Sequence, residues 1–145
     1  MFAWAIGGVA ISGPEKDSAV RWRPASDRDC GTKGWGNVFE LLRGVKVVDL
    51  TTVVLGPYAT QILGDLGAEV IKVEPPEGDV FRAVRPGRSP RMGAGYLNCN
   101  RNKRSIVIDL KQAEGRQVLK ELVRDADVVV HNMRPQAAAK LGAGY

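Results

Sequence analysis

Apolar and polar positions fall into a regular order only from Leu41 onward. Val45-Lys-Val-Val-Asp-Leu50 is a short run rich in β-branched residues and predicts a buried strand. Pro57 suits the first turn of a following helix, where its missing N–H costs nothing. Tyr58 to Leu66 continues that helix, with Ile62, Leu63 and Leu66 on one stripe. Gly67 is placed to end it in the left-handed conformation. Glu69-Val-Ile-Lys-Val73 is the next strand. Strand, short helix and strand make a βαβ unit, which implies a parallel sheet and a right-handed crossover.

The pattern breaks over residues 74–97. Pro75, Pro76, Pro86 and Pro90 forbid a long helix, and Gly78, Gly87, Gly93 and Gly95 favour a long loop, with Gly93-Ala-Gly95 read as loop chemistry. Periodicity returns with Ser105-Ile-Val-Ile-Asp109, a third strand. Glu114 to Arg124 is an amphipathic helix that turns Val118, Leu119, Leu122 and Val123 inward. Asp127-Val-Val-Val130 is a fourth strand, and Ala137 to Leu141 is helical. The whole reads as an α/β fold, a Rossmann-like parallel sheet with flanking helices. Ligands bind such sheets beyond the carboxyl ends of the strands. Here those ends carry Thr51–Gly56, Glu74–Asp79, Asp109–Lys111 and His131–Arg134.

Residues 1–40 are different material. They hold Trp4, Trp22 and Trp35 and no sustained period. They are expected to be an irregular extension, and a start of translation near Val38 would make them non-native. Met1 to Ile11 is apolar but lacks the basic segment and clean cleavage site of a secretory signal. Residues 41–145 form the second, regular unit.

With 44% hydrophobic and 26% charged residues, composition excludes a wholly disordered chain. No apolar run approaches the roughly 20 residues that a membrane-spanning helix needs. Cys30 and Cys99 make no disulfide framework, and no Cys/His cluster has zinc spacing, so no metal is expected. A reduced, cytoplasmic setting fits. The net charge of +5 is concentrated. Arg82, Arg85, Arg88, Arg91, Arg101, Lys103, Arg104 and Lys111 face only Asp79 and Asp109 over residues 78–111, which predicts a phosphate-bearing partner.

Several chemistries are missing. The first strand-to-helix turn, Thr51-Thr-Val-Val-Leu-Gly-Pro57, lacks the dinucleotide-binding G-x-G-x-x-G, and no Walker A loop is present. There is no G-x-S-x-G elbow. His131 reads as a polar neighbour of a ligand or a half-exposed side chain, and Cys99 as a partly buried thiol. Lys and Arg of Asn100-Arg-Asn-Lys-Arg-Ser105 and of Asp109-Leu-Lys111 suit either phosphate contacts or a solvated turn. Asn132-Met-Arg-Pro135 suits either a strand-tip grip on a ring or amide, or a simple helix-leading turn.

The ordered series Leu42-Arg-Gly-Val-Lys-Val-Val-Asp-Leu50, Gly56-Pro57, Leu63-Gly-Asp-Leu-Gly-Ala-Glu-Val-Ile-Lys-Val-Glu74, Gly78-Asp79 resembles the class III CoA-transferases. That family includes formyl-CoA transferases, carnitine CoA-transferases and α-methylacyl-CoA racemases. The resemblance continues through Asn100–Ser105, Asp109–Lys111, Gly115, Ala126–Val128, Asn132, Arg134-Pro135 and Leu141-Gly142, so it covers residues 42–145. It implies the N-terminal portion of a Rossmann-like large domain that binds coenzyme A or acyl-CoA, with carboxylic acids as the other substrates. It implies an interlocked homodimer of ring-shaped subunits. It also implies nucleophilic catalysis by an aspartate through mixed-anhydride and CoA-thioester intermediates.

By motif position, the resemblance implies CoA contacts from Val53, Ile108, Lys111, Asn132, Met133, Arg134 and Lys140. Lys111, Arg134 and Lys140 would serve the phosphates; Ile108 and Met133 would pack against adenine or pantetheine. The family's catalytic aspartate lies beyond Tyr145, so no catalytic residue is assigned. The family pattern Glu-Asn-Phe-Arg-Pro-Gly stands here as His131-Asn-Met-Arg-Pro-Gln136. The formyl-CoA transferases carry a glutamine where this chain has Val54, which argues against oxalate as acceptor. Residues 1–40 match nothing in the family pattern. Alternatives are a racemase fragment, a catalytically inert truncated remnant, and a basic nucleic-acid-binding module. The last needs stacking aromatics among the charges, and only Phe81 and Tyr96 are near, so no nucleic acid is expected.

Overall fold

The computed structural model describes residues 40–141. Strand β1 (Lys46–Asp49) is followed by helix α1 (Leu55–Asp65), strand β2 (Glu69–Glu74), a 3₁₀ turn (Val80–Ala83) and helix α2 (Ala94–Cys99). Strand β3 (Lys103–Val107), helix α3 (Ala113–Arg124), strand β4 (Val128–Val130) and helix α4 (Pro135–Lys140) complete the order. The four strands form one sheet in the order β3-β2-β1-β4, and every pairing is parallel. This is an α/β fold with helices flanking a parallel sheet, as the alternation of strand and helix patterns predicts. The expected extension over residues 1–40 lies outside the described residues.

Successive residues of a strand face opposite sides of the sheet. One side carries Val48, Val73 and Val129, which pack with Leu119 and Leu122 of α3 and with Ile108 and Ala126. The other side carries Val47, Val70 and Val130, with Ala68 and the half-buried Leu63 of α1. The chain therefore winds across one face through α1 and returns across the other through α3. The strand order reverses between β1 and β4. In an open α/β sheet that reversal opens a crevice outside the carboxyl ends of the two strands.

Three elements differ from the sequence expectation. First, β3 runs Lys103–Val107 rather than 105–109. Its register is set by pairing with β2, from Val70↔Lys103 to Glu74↔Val107, and β2 ends there. Second, residues 74–97 are more ordered than a plain loop. Asp79 caps the 3₁₀ turn by accepting from the Phe81 amide, and Gly93 is the N-cap of α2 rather than loop chemistry. A Cβ on Gly95 would lie 2.5 Å from the Phe81 ring, so a side chain there would separate α2 from the turn. Third, α1 buries Pro57, Thr60 and Gln61, while Ile62 is left 41% exposed. Leu63 of the expected stripe does pack against the core, but the helix is rotated so that Thr60 and Gln61 replace Ile62 on the covered face, because Asp49 and Lys103 lie under it. Gly67 does end α1 in the left-handed region, at φ 97°.

Candidate functional site

Period-two alternation places Asp49, Lys72, Glu74, Lys103 and Ser105 on the same side of the sheet as Val47 and Val70. On that side the charges of β1 and β2 lie toward the carboxyl ends of those strands, and Lys103 opens β3 beside Val70. Asp49, Lys72 and Glu74 are all buried. Buried charges persist when they are paired and hydrogen-bonded, and each of these is.

Asp49 ends β1. Its Oδ1 accepts from the Thr51 amide at 2.9 Å and the Thr51 hydroxyl at 2.5 Å. Its Oδ2 accepts from the Thr60 hydroxyl at 2.6 Å and from Lys103 Nζ at 3.0 Å. Burial pushes the Asp49 carboxyl up, but Lys103, Lys72 and the two hydroxyls outweigh it and hold it below its ordinary value. Burial pulls the Lys103 ammonium down against the opposing pull of Asp49.

Glu74 ends β2 and anchors the long loop that follows. Arg82 Nε donates to its Oε2 at 2.7 Å, and Arg82 Nη2, the Tyr96 hydroxyl and the Ser105 hydroxyl each donate to Oε1 at 2.8 Å. The guanidinium also lies 3.9 Å from the centre of the Tyr96 ring. Burial pushes the Glu74 carboxyl up, but Arg82, Ser105, the Asp79 amide and Tyr96 outweigh it and hold it well below the carboxylate range. Burial and the Glu74 acceptor push the Tyr96 phenol up.

These groups converge on the turn after β1. Lys72 Nζ donates to the Thr51 carbonyl at 2.8 Å and lies 3.1 Å from Asp79 Oδ2. Both carboxylate oxygens of Asp79 lie 3.3 Å from the Val53 amide. From the segment just after β4, Asn132 accepts the Thr52 amide at 3.1 Å and donates to the Thr52 carbonyl at 2.9 Å, bridging the crevice. Val53 sits at φ 70°, a conformation unfavourable for a β-branched residue. A Cβ on Gly56 would come within 2.4 Å of Thr51 Cβ, so only glycine fits against the turn.

The expected site residues divide into two groups. Val53 and Asn132 are brought together through Thr52, and Met133, Arg134 and Lys140 follow Asn132 on the β4 end and α4. Val53 is 43% exposed, and Asn132, Arg134 and Lys140 are exposed. Met133 is half-buried against the α3 side of the core. Ile108 and Lys111 leave β3, which lies at the opposite edge of the sheet from β4. The Ile108 side chain is in the core. Lys111 is exposed, and its amide donates to Asp109 Oδ1 at 3.0 Å while its carbonyl accepts from Arg116 at 2.8 Å.

The basic stretch is partly spent inside the fold. Arg82 and Lys103 are tied as described, and Arg101 pairs with Asp65 at 2.7 Å. Phe81 packs on Gly95 and Tyr96 is buried beneath Arg82, so neither ring stands free. His131 is buried, not half-exposed, with no partner for Nδ1 among the described residues, and Cys99 is buried too. Among the described residues no group of three His, Cys, Asp or Glu side chains is placed to hold a metal. No described helix is long and apolar enough to cross a membrane.

Sequence reasoning missed Asp49, Lys72, Glu74, Asp79 and Tyr96. A signal was present: Asp49 and Lys72 interrupt strands that read as apolar on both faces. In a parallel sheet covered by helices a charge at such a position is buried and must be paired.

Residues 42–145 match the family described as CoA-transferase family III. The human succinyl-CoA:glutarate CoA-transferase is 44% identical over 124 residues, covering 85% of this chain and 26% of that protein. That span is longer than residues 42–145, so the likeness reaches into the first forty residues, where none was expected. The succinate–glutarate CoA-transferase of Agrobacterium fabrum is 46% identical, covering 72% of this chain and 28% of that protein. A CAIB/BAIF family protein from Brucella suis superimposes with a TM-score of 0.65 at 44% identity, covering 71% of this chain and 28% of that one. The chain thus spans about a quarter of the length of the curated relatives it matches.

Proposed function

The chain belongs to CoA-transferase family III, and from that premise we propose that it is the CoA-binding N-terminal portion of an enzyme that moves CoA between carboxylic acids. In the full-length enzyme an aspartate carboxylate would attack the acyl-CoA and expel the CoA thiolate, leaving a mixed anhydride. The thiolate would then attack the aspartyl carbonyl, releasing the acid and forming an enzyme-bound thioester. No residue of this chain is assigned that role. Asp49, Glu74 and Asp79 are buried and committed to several donors each.

The observation that carries this reading is the pinned Thr51–Val54 turn bridged to Asn132 at the strand-order reversal. It presents a fixed backbone and exposed Val53 and Val54 at the place where an open α/β sheet binds its ligand. The contacts assigned to CoA are Val53, Asn132 and Met133 on this side, with Arg134 and Lys140 near by. Ile108 contributes backbone and Lys111 an ammonium from the far edge. Three inter-strand steps separate β3 from β4, roughly 14 Å, so the ligand lies across the strand ends in an extended form. Acyl-CoA and a carboxylic acid are the substrates, and an interlocked homodimer is the assembly of the complete enzyme.

Isothermal calorimetry with CoA tests the proposal. The chain is expected to bind, and Lys111→Ala to weaken binding by about 1–3 kcal/mol through loss of a charge-assisted phosphate contact. Equal affinity in the variant would remove Lys111 from the site; no binding by the parent chain would remove the proposal.

A further inference from the structure

We infer that the buried Lys72–Asp79 ion pair is a positioning device whose task is to hold Val53 in its left-handed backbone conformation at the ligand-facing turn. The inference rests on the CoA-binding reading for what the turn does, but its geometry stands independently. Both side chains are 1% exposed, and their charged ends meet at 3.1 Å. Lys72 takes the Thr51 carbonyl on one side of Thr52, and Asp79 takes the Val53 amide on the other. The pair thus grips the turn at both flanks of the residue that Asn132 holds from just after β4.

A buried ion pair is a poor device for stability alone, because apolar side chains of the same volume serve as well or better. Its merit is directional: an ammonium and a carboxylate fix one carbonyl and one amide in a single orientation. The turn needs such direction. A free Val-Val segment would relax to extended backbone, away from φ 70° at Val53. The first turn of α1 begins immediately afterwards with no side-chain cap on Val54. The orientation of Val53 therefore also sets how the open amide end of α1 meets the crevice.

The partner groups are local as well as distant. Asp79 is itself held by its own amide donating to Glu74 Oε2 at 3.0 Å and by the Phe81 amide at 2.9 Å. The clamp is thereby joined to the Glu74–Arg82–Tyr96 cluster.

The test uses the whole chain, amide hydrogen exchange by NMR, and CoA calorimetry. The paired variant Lys72→Met with Asp79→Asn removes both charges together and keeps the volume. It is expected to speed exchange at Thr52 and Val53 by roughly tenfold or more while the β1 and β2 amides keep their protection, and to weaken CoA binding about tenfold. A merely structural ion pair would speed exchange throughout the sheet; unchanged exchange at Val53, or faster exchange everywhere, overturns the inference. If the paired variant does not fold, the parent chain decides. A slow Val53 amide and shifts typical of positive φ uphold the clamp; averaged shifts and fast exchange overturn it. If the parent chain does not bind CoA, the proposed function fails while the exchange and chemical-shift measurements still judge the clamp.

Discussion

Gly56 shows how one residue ties sequence to site. The first turn of α1 crosses the Thr51 side chain so closely that a Cβ would lie 2.4 Å from Thr51 Cβ. Thr51 cannot give way, because it is 1% exposed and its hydroxyl is bound to Asp49. Gly56→Ala is therefore expected to lower stability by about 1–3 kcal/mol through overpacking, read as a shift of the urea midpoint. A midpoint within error of the parent would show that the turn is looser than the geometry states. Val53 is the converse case, a residue whose own preference is overruled. Nothing in Thr51-Thr-Val-Val54 announces positive φ, since the four groups that hold the turn come from β1, β2, the loop after β2 and the segment after β4.

Helix α3 is the element whose pattern and packing agree best. Its apolar residues recur at helical spacing, and the structure buries Leu119 and Leu122 with Val118 and Val123 packed against the same cluster. Leu119 is 2% exposed, so Leu119→Ala is expected to cost about 2–5 kcal/mol; a loss below 1 kcal/mol on that scale in chemical denaturation would argue against a close-packed α3 face. Helix α1 behaves differently. Its covered face holds Thr60 and Gln61, because the sheet beneath it offers Asp49 and Lys103 rather than apolar side chains. Hydrophobic spacing alone selected Ile62, Leu63 and Leu66 for that face; Leu63 does pack against the core cluster, but Ile62 is left exposed. The hydrogen bond that Thr60 makes to Asp49 decided otherwise.

At the scale of the whole molecule, the buried carboxylates tie stability to pH. Asp49 and Glu74 both sit below their ordinary values. Their contribution is therefore complete above the unfolded carboxylate range near pH 4 and is lost as pH falls through that range toward the folded values. The urea midpoint is expected to be flat near neutrality and to drop steeply in acid. Glu74→Gln leaves Arg82 without its partner, so it lowers the midpoint at pH 7 and makes the acid fall shallower. An acid fall as steep as the parent's would assign the pH dependence to other groups. What the linear order of residues determined was the class of fold, since apolar runs of strand length alternating with helical spacing admit few arrangements other than a covered parallel sheet. The motifs of residues 42–145 likewise carried the family, because a series of short matches in fixed order is specific where each alone is not. What only the tertiary structure decided was the register of β3, the rotation of α1 and the fate of the charges. Each depends on which distant residue lies opposite. The same Lys in a strand is a solvated surface group or a buried clamp according to whether a helix covers its face and an acid meets it there, and those partners come from 7 to 54 residues away, as Lys72–Asp79 and Lys103–Asp49 do.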